Sequence, residues 1–199
     1  MGDPKKIKKK YATPLHPWIR TRIEEERIIR KQYGLKTKTE IWKMDSLLRS
    51  MKHQAKQLIA REDPQSFIEE KLLKDRLVNL GLISADTKLV DVLSLTIHHV
   101  MDRRLQTVLV RKGLARSTRQ ARQMIVHRHV KVGDQVVDAP SYMVKKDEEN
   151  SLSFVVRSPF NNADHPERAV APVGQKVAAK SLTPEEQLVM QQKHPEVKA

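Results

Sequence analysis

The sequence predicts an α+β protein in which a helical N-terminal body precedes a small module of two helices and an antiparallel sheet. Through the first half of the chain, apolar residues recur at alternating steps of three and four, as on one face of a helix. After residue 130 the pattern changes to alternation, which is typical of strands. Between these regions, residues 103–131 hold nine Lys or Arg residues and no Asp or Glu. Apolar residues run through that stretch at helical spacing, so it is a folded surface with a cationic polar side.

The overall charge indicates a polyanionic partner. The 199 residues carry a net charge of +14, with an isoelectric point near 10.0. Residues 1–52 and 103–131 each carry +9, whereas residues 53–102 carry −2. Nucleic acid and anionic membranes both suit such a surface, but no apolar run approaches the length of a membrane span. We therefore expect nucleic acid and no membrane. The absence of Cys excludes disulfides and thiolate metal sites and fits a reducing compartment.

The first region, residues 1–40, is predicted to be a basic extended arm followed by a first helix. Residues 1–17 offer almost nothing apolar to bury, so we expect the arm to be disordered alone and to become ordered on a partner. A solubilising or targeting tail is the alternative. The first helix is predicted from about Arg20 to Gly34, a residue suited to ending a helix.

Residues 41–102 are predicted to form a helical body. Ile41, Met44, Leu48, Met51, Ala55 and Leu58 recur at helical spacing. Asp63-Pro64 then reads as the cap and first turn of another helix, which ends at Gly81. Its predicted apolar residues are Phe67, Leu72, Leu73, Leu77 and Leu80. A further helix, capped by Thr96, is predicted over residues 97–112.

Residues 103–166 are predicted to form the two-helix and sheet module, and residues 167–199 an irregular tail. Ser117 caps a helix over about residues 118–128. Residues 130–132 and 135–137 alternate as strands on either side of the turn signal Gly133-Asp134. Residues 152–156 read as a further strand.

The helix after Ser117 is the centre of the predicted binding surface. It can bury Ala121, Met124 and Ile125 while it presents Arg119 and Arg122 together. At its start, free backbone N–H groups and the positive end of the helix dipole suit a phosphate. Arginine, which supplies seven of the nine basic residues of this stretch, can bind phosphate with two hydrogen bonds or stack on an unpaired base.

The candidate RNA-binding residues fall into two groups. The module contributes Arg103, Arg104, Gln106, Lys112, Arg116, Ser117, Arg119, Gln120, Arg122, Arg128 and Lys131. The arm contributes Lys5, Lys6, Lys8, Lys9 and Lys10.

Several short motifs carry a family resemblance. In the module they are Arg103-Arg104-Leu105-Gln106-Thr107, Gly113-Leu114-Ala115-Arg116-Ser117, Ala121-Arg122, Val130-Lys131-Val132-Gly133 and Pro140-Ser141-Tyr142. These resemble the RNA-binding module named after ribosomal protein S-four. Further motifs near the N-terminus are Lys10-Tyr11, Thr13-Pro14, His16-Pro17-Trp18, Tyr33-Gly34-Leu35-Lys36 and Glu40-Ile41-Trp42. They resemble the archaeal and eukaryotic type of the same ribosomal family.

The resemblance implies a structural, non-enzymatic protein of the small ribosomal subunit in the cytoplasm. Members bind small-subunit rRNA directly and early, and they nucleate assembly of the subunit body. They lie near the channel by which mRNA enters, beside neighbours that include protein S-five, and they influence decoding accuracy. The cysteine zinc site frequent in the bacterial form cannot exist here, because the chain has no Cys. We expect no cofactor, no metal and no homo-oligomer.

Other functions remain as alternatives. A transient RNA-binding factor for stress or ribosome assembly could use the same module. An RNA-modifying enzyme could also carry it, but it would need a separate catalytic domain, and no phosphate-binding glycine loop or nucleophile elbow is present. His98-His99 and His127-x-His129 could bind a metal, but structural zinc sites want four ligands, and the second pair lies among Arg and Lys residues.

Overall fold

A computed structural model describes residues 9–61, 63–162 and 165–168. The described residues have the α+β architecture that the sequence predicts. The helices are α1 (Arg20–Gln32), α2 (Lys38–Ile59), α3 (Pro64–Asn79), α4 (Ile97–Asp102), α5 (Leu105–Arg111) and α6 (Thr118–Val126). The strands are β1 (Val130–Val132), β2 (Gln135–Val136) and β3 (Leu152–Phe154). Short 3-10 helices span Leu89–Ser94, Glu148–Ser151 and Pro159–Asn161. In this part of the chain, no helix is long and apolar enough to cross a membrane.

The helical body is organised around α2. The residues predicted to line its apolar face are buried or half-buried, and its core partners lie in α3, α4 and the 3-10 helix Leu89–Ser94. That 3-10 helix occupies what reads in the sequence as a connector, and it buries Leu89 and Val92 in the same core. The cap predicted at Thr96 is present, since Thr96 and His99 form a capping box at the start of α4.

Helix α3 buries less of its apolar surface than its sequence predicts. Leu73 and Leu77 are buried, but Phe67 and Leu72 are 64% and 63% exposed. Phe67 and Leu72 lie on sides of the helix that face away from the core of the body, whereas Leu73 and Leu77 face it. Asp63 precedes the helix as predicted, but its side chain makes no capping hydrogen bond.

The prediction of a single helix over residues 97–112 is wrong, because this segment forms two helices, α4 and α5. Arg104 at the break has an extended backbone, with φ −71° and ψ 142°. A distant segment pairs with it there: Leu105 N–H donates to Tyr142 O at 2.8 Å, and Val144 N–H donates to Arg103 O at 2.9 Å. Hydrogen bonds from a segment about 40 residues later thus replace part of the helix ladder. Local periodicity cannot reveal this, because the apolar spacing continues through the break.

The module has its own apolar core beneath a three-stranded antiparallel sheet with the order β2-β1-β3. In register, Lys131 faces Val136 on one side and Ser153 on the other. Val130, Val132, Leu152 and Phe154 point to the core, where they meet the buried residues of α5 and α6. The alternation that predicted the strands therefore corresponds to one buried face.

The described part of the arm is attached to the body, in contrast to the expected disorder. Ala12 N–H donates to Ser46 Oγ at 2.9 Å, and the Tyr11 and Trp42 rings have centroids 6.5 Å apart. Residues 1–8, which include three of the five candidate lysines, lie outside the described residues, as does most of the predicted tail.

The end of α1 and the module are in close contact at Gly34. Its φ is +60°, a left-handed value that favours glycine, and a Cβ built there would lie 2.5 Å from Thr118 Oγ1. Gln106 Nε2, which lies beside this contact, donates to Tyr33 O at 3.1 Å and to Thr118 O at 2.7 Å. The start of α6 is thus held directly against the end of α1.

We expect Gly34→Ala to destabilise the fold by roughly 2–4 kcal/mol, since it combines left-handed backbone strain with a steric clash against Thr118. Gly113→Ala is the matched control. Gly113 also has positive φ, +72°, but a Cβ there would meet nothing within 4 Å. Urea denaturation should show a clearly larger loss for the Gly34 variant, and equal losses would contradict the close contact.

Candidate nucleic-acid interface

Helix α6 is built as its sequence predicts. Ser117 Oγ accepts a hydrogen bond from Gln120 N–H at 3.2 Å and so caps the helix. Ala121, Met124 and Ile125 are buried, which leaves the opposite side of the helix toward solvent. Arg119 lies exposed on that side, and no partner for it occurs among the described residues. Lys131 on β1 is half-buried, and its side chain likewise has no partner within the described part of the chain.

A short segment near the C-terminus lies across the start of α6. Gln120 Nε2 donates to Glu167 Oε2 at 3.1 Å, and Arg116 Nη1 lies 4.0 Å from the same oxygen. Arg116 also donates to Pro166 O. A carboxylate therefore lies where the sequence predicts a phosphate, next to the Arg116 and Gln120 side chains at the positive end of α6.

Three candidates from the sequence are placed inside the protein. Arg103, Arg104 and Gln106 are only 7%, 1% and 1% exposed. Gln106 bonds the backbone carbonyls between body and module, as described above, and Arg103 Nη2 donates to Val144 O at 3.0 Å. The expectation that these three side chains face RNA is therefore corrected. They stand at the break between α4 and α5, where the chain turns them inward.

Arg104 and Arg122 share one carboxylate from the body, in what we call the Glu40 cluster. Glu40 Oε2 accepts from Arg104 Nη2 at 2.7 Å. Arg122 reaches both oxygens, at 2.9 and 3.2 Å, in a two-pronged contact. Burial raises the pKa of Glu40, but the hydrogen bonds and charges of Arg122 and Arg104 outweigh it and hold that pKa below its ordinary value.

A second carboxylate, Glu149, pairs with other cations of the basic stretch. Its oxygens accept from Arg103 at 2.8 Å and from Arg111 at 3.2 Å, and its backbone carbonyl accepts from Lys112. Burial raises the pKa of Glu149, but Arg103, Arg111 and Lys112 together lower it. In three dimensions the basic stretch is therefore not free of acid, since Glu40, Glu149 and Glu167 all reach it.

Low pH should test these two clusters. Because the pKa of each carboxyl is lowered by folding, each stabilises the fold above its unfolded pKa, about 4.3, and that contribution is lost as pH falls through the folded pKa. We expect the urea midpoint to fall steeply below about pH 4. The drop should be smaller in the double variant Glu40→Gln, Glu149→Gln. The exposed control Glu24→Gln should follow the wild-type profile, and three identical profiles would contradict the assignment.

Arg128 connects α6 to the sheet. It has φ 60°, the only positive value outside glycine among the described residues, and this conformation turns the chain from the helix into β1. Its side chain is exposed and meets Asp138 at 3.2 Å. The neighbouring His129 ring hydrogen-bonds Ser158 Oγ at 3.0 Å. Burial, followed by the charge of His127, lowers the pKa of His129.

The remaining candidates of the module lie on α6, on β1 and in the segments beside them, and a separate group lies on the arm. Arg116, Ser117, Arg119 and Arg128 are exposed, whereas Lys112, Gln120, Arg122 and Lys131 are half-buried. On the arm, Lys9 and Lys10 are exposed. Sequence reasoning missed Glu40 and Glu149, because their partners lie far away in the chain. The absence of acid in residues 103–131 is the one signal that partners must come from elsewhere.

Comparison with known proteins identifies the family of the chain. Residues 103–150 match the family model of the S4 domain, so this part of the chain is similar to S4 domains. The chain is 46% identical over 169 residues to small ribosomal subunit protein uS4 of Methanococcus aeolicus. The matched region covers 84% of this chain and 96% of the relative. The chain is also 44% identical over 163 residues to the protein of that name from Saccharolobus islandicus. That match covers 81% of this chain and 90% of the relative. The chain belongs to the family of small ribosomal subunit protein uS4.

Proposed function

We propose that this protein is a structural component of the small ribosomal subunit, without enzymatic activity, and that it binds small-subunit rRNA directly. The observation that carries the proposal is its identity of 44–46% to ribosomal proteins over at least 90% of their length. The S4 domain and the two +9 segments of the chain favour the same partner.

The finer roles rest on the family resemblance. We propose that the protein binds early and nucleates assembly of the subunit body in the cytoplasm. Its neighbours would include protein S-five, near the channel by which mRNA enters, and it would contribute to decoding accuracy. We also propose that residues 103–166 act as the RNA-binding domain, beside the arm and first helix (1–40), the helical body (41–102) and the tail (167–199).

For the contact surface, we propose the cations and polar groups of α6 and β1 together with the lysines of the arm. Arg103, Arg104 and Gln106 are left out of this set, because they are buried and satisfy groups inside the protein. They would act indirectly, by fixing α6 against the body. Exposed Arg119 and the neighbouring Arg116 are best placed for phosphates.

Quantitative mass spectrometry of high-salt-washed small subunits tests the proposal. A structural component should remain at one copy per subunit, whereas a transient assembly or stress factor should be lost. Crosslinking in the assembled subunit should then join RNA to residues 116–131 and to the arm lysines. Loss of the protein in the wash would contradict the structural role.

Removing the carboxylate at the start of α6 should strengthen RNA binding. Glu167 competes with phosphate for Arg116 and Gln120, so Glu167→Gln should bind rRNA roughly two- to five-fold more tightly, the range expected for one exposed ion pair. Electrophoretic mobility shifts at fixed salt would measure this. Glu69→Gln, which makes the same charge change on α3, is the control. An equal gain in both variants would show an effect of net charge alone.

A further inference from the structure

The two most exposed large apolar side chains in the described part of the protein lie three residues apart in the sequence, just before α1. Trp18 is 89% exposed and Leu15 is 87% exposed. The other tryptophan, Trp42, is half-buried and donates its indole N–H to Glu26 at 2.9 Å. An indole exposed to this extent is a candidate for contact with a partner, because its ring can bury a large area on binding.

The backbone that carries Trp18 is held in place. Arg22 donates to His16 O at 3.1 Å and to Pro17 O at 2.8 Å, immediately before the tryptophan. Arg22 is itself fixed by Glu26 at 2.6 Å, a carboxylate only 6% exposed. Helix α1 starts two residues after Trp18. The ring therefore projects from an anchored turn, and little backbone freedom would be lost when a ligand covers it.

The charge around Trp18 favours RNA over protein. Residues 9–23 contain four Lys or Arg residues and no Asp or Glu, and although three Glu residues follow at 24–26, Lys9, Lys10 and Arg20 stay exposed. Arg20, two residues from the indole, is highly exposed, and its contact with Glu24 is an exposed pair that screens little. A flat aromatic face among cations is the combination with which proteins bind unpaired nucleotides, because the ring stacks on the base and the cations meet the phosphates.

We propose that Trp18 stacks on an unpaired base of RNA, with Leu15 covering the edge of the same base. This contact lies outside the S4 domain, and it rests on the proposed function in that the RNA is the one the protein binds in the small subunit. It gives the arm a base-binding role in addition to the contribution of its lysines to phosphate binding.

The test uses the full-length protein and a transcript of small-subunit rRNA. Wild-type protein should show quenched tryptophan fluorescence on binding, and this quenching should be largely lost in Trp18→Phe, which keeps only Trp42. Trp18→Ala should weaken binding about ten-fold, within the range for loss of one stacked base. The slope of log affinity against log salt should stay unchanged, because no phosphate contact is removed.

Phe67→Ala is the matched control, since Phe67 is also an exposed aromatic residue but lies on α3, in the segment of net charge −2. It should bind RNA as the wild type does. The proposal is overturned if Trp18→Ala binds like wild type and quenching persists in Trp18→Phe. It is also overturned if RNA affinity is unchanged while the Trp18→Ala protein fails to stay in assembled subunits, because that result assigns the indole to a protein neighbour. Failure of wild-type protein to bind the transcript would instead reject the proposed function itself.

Discussion

Replacing Glu40 by alanine should lower the free energy of unfolding by about 3–5 kcal/mol, the cost of breaking a buried ion pair from one side. Arg104 is 1% exposed, and Glu40 is the carboxylate that meets it. Two guanidinium nitrogens of Arg104, Nε and Nη1, have no hydrogen-bond partner among the described residues. No other group there would compensate the Arg104 charge if Glu40 were removed. Burial already lowers the pKa of Arg104, which shows how costly its charge is at this position. Chemical denaturation followed by circular dichroism would measure the loss.

A double-mutant cycle separates the ion pair from general damage. Arg104→Met removes the buried charge, so the double variant Glu40→Ala, Arg104→Met should be more stable than the sum of the single losses predicts. Glu24→Ala is the surface control, since its ion pair with Arg20 is exposed and should be worth almost nothing. Additive losses in the cycle would refute the coupling between Glu40 and Arg104.

Replacing Arg116, Arg119 and Lys131 together by alanine should weaken rRNA binding by roughly a hundred-fold at moderate salt, since each loses about 1 kcal/mol of phosphate contact. The slope of log affinity against log salt should become shallower by about 2.7, which corresponds to three phosphates. Arg122 is excluded from this set, although its sequence position would include it, because it also holds Glu40 and its loss would disturb the fold. Filter binding at several salt concentrations would measure both quantities.

A triple variant with the same charge loss gives the control. Lys71, Arg76 and Lys88 are outside the proposed surface, in the segment of net charge −2. Their replacement by alanine should change affinity only slightly and leave most of the salt slope intact. If both triple variants weaken binding equally, the protein holds RNA through its overall charge and not through α6 and β1.

Local signals in the sequence predict local structure well in this protein. The cap at Ser117, the helix end at Gly34 and the buried face of α6 each depend on a few consecutive residues, and all are confirmed. The hairpin at Gly133 follows from the same kind of signal. Periodicity alone, however, could not tell that Phe67 and Leu72 stay exposed, because a helix pattern does not state how much of the helix has a neighbour.

The features missed from the sequence depend on distant partners. The break at Arg104 needs the segment around Tyr142, and the burial of Arg104 needs Glu40. From sequence alone, an arginine that faces RNA cannot be distinguished from one that pairs with a buried carboxylate. Charge counting therefore included Arg103, Arg104 and Gln106 in the candidate surface, whereas the structure buries all three.

The interlocking of Gln106, Arg104 and Glu40 bears on where this protein can be divided. The S4-domain match begins at residue 103, yet the carboxylate that Arg104 needs and two of the carbonyls that Gln106 bonds belong to residues 33–40. A fragment cut at residue 103 would expose both side chains without their partners. The segment that matches the S4 domain therefore leaves out contacts that hold Arg104 and Gln106 in this chain, and we expect a fragment that begins upstream of α1 to be more stable than one cut at residue 103.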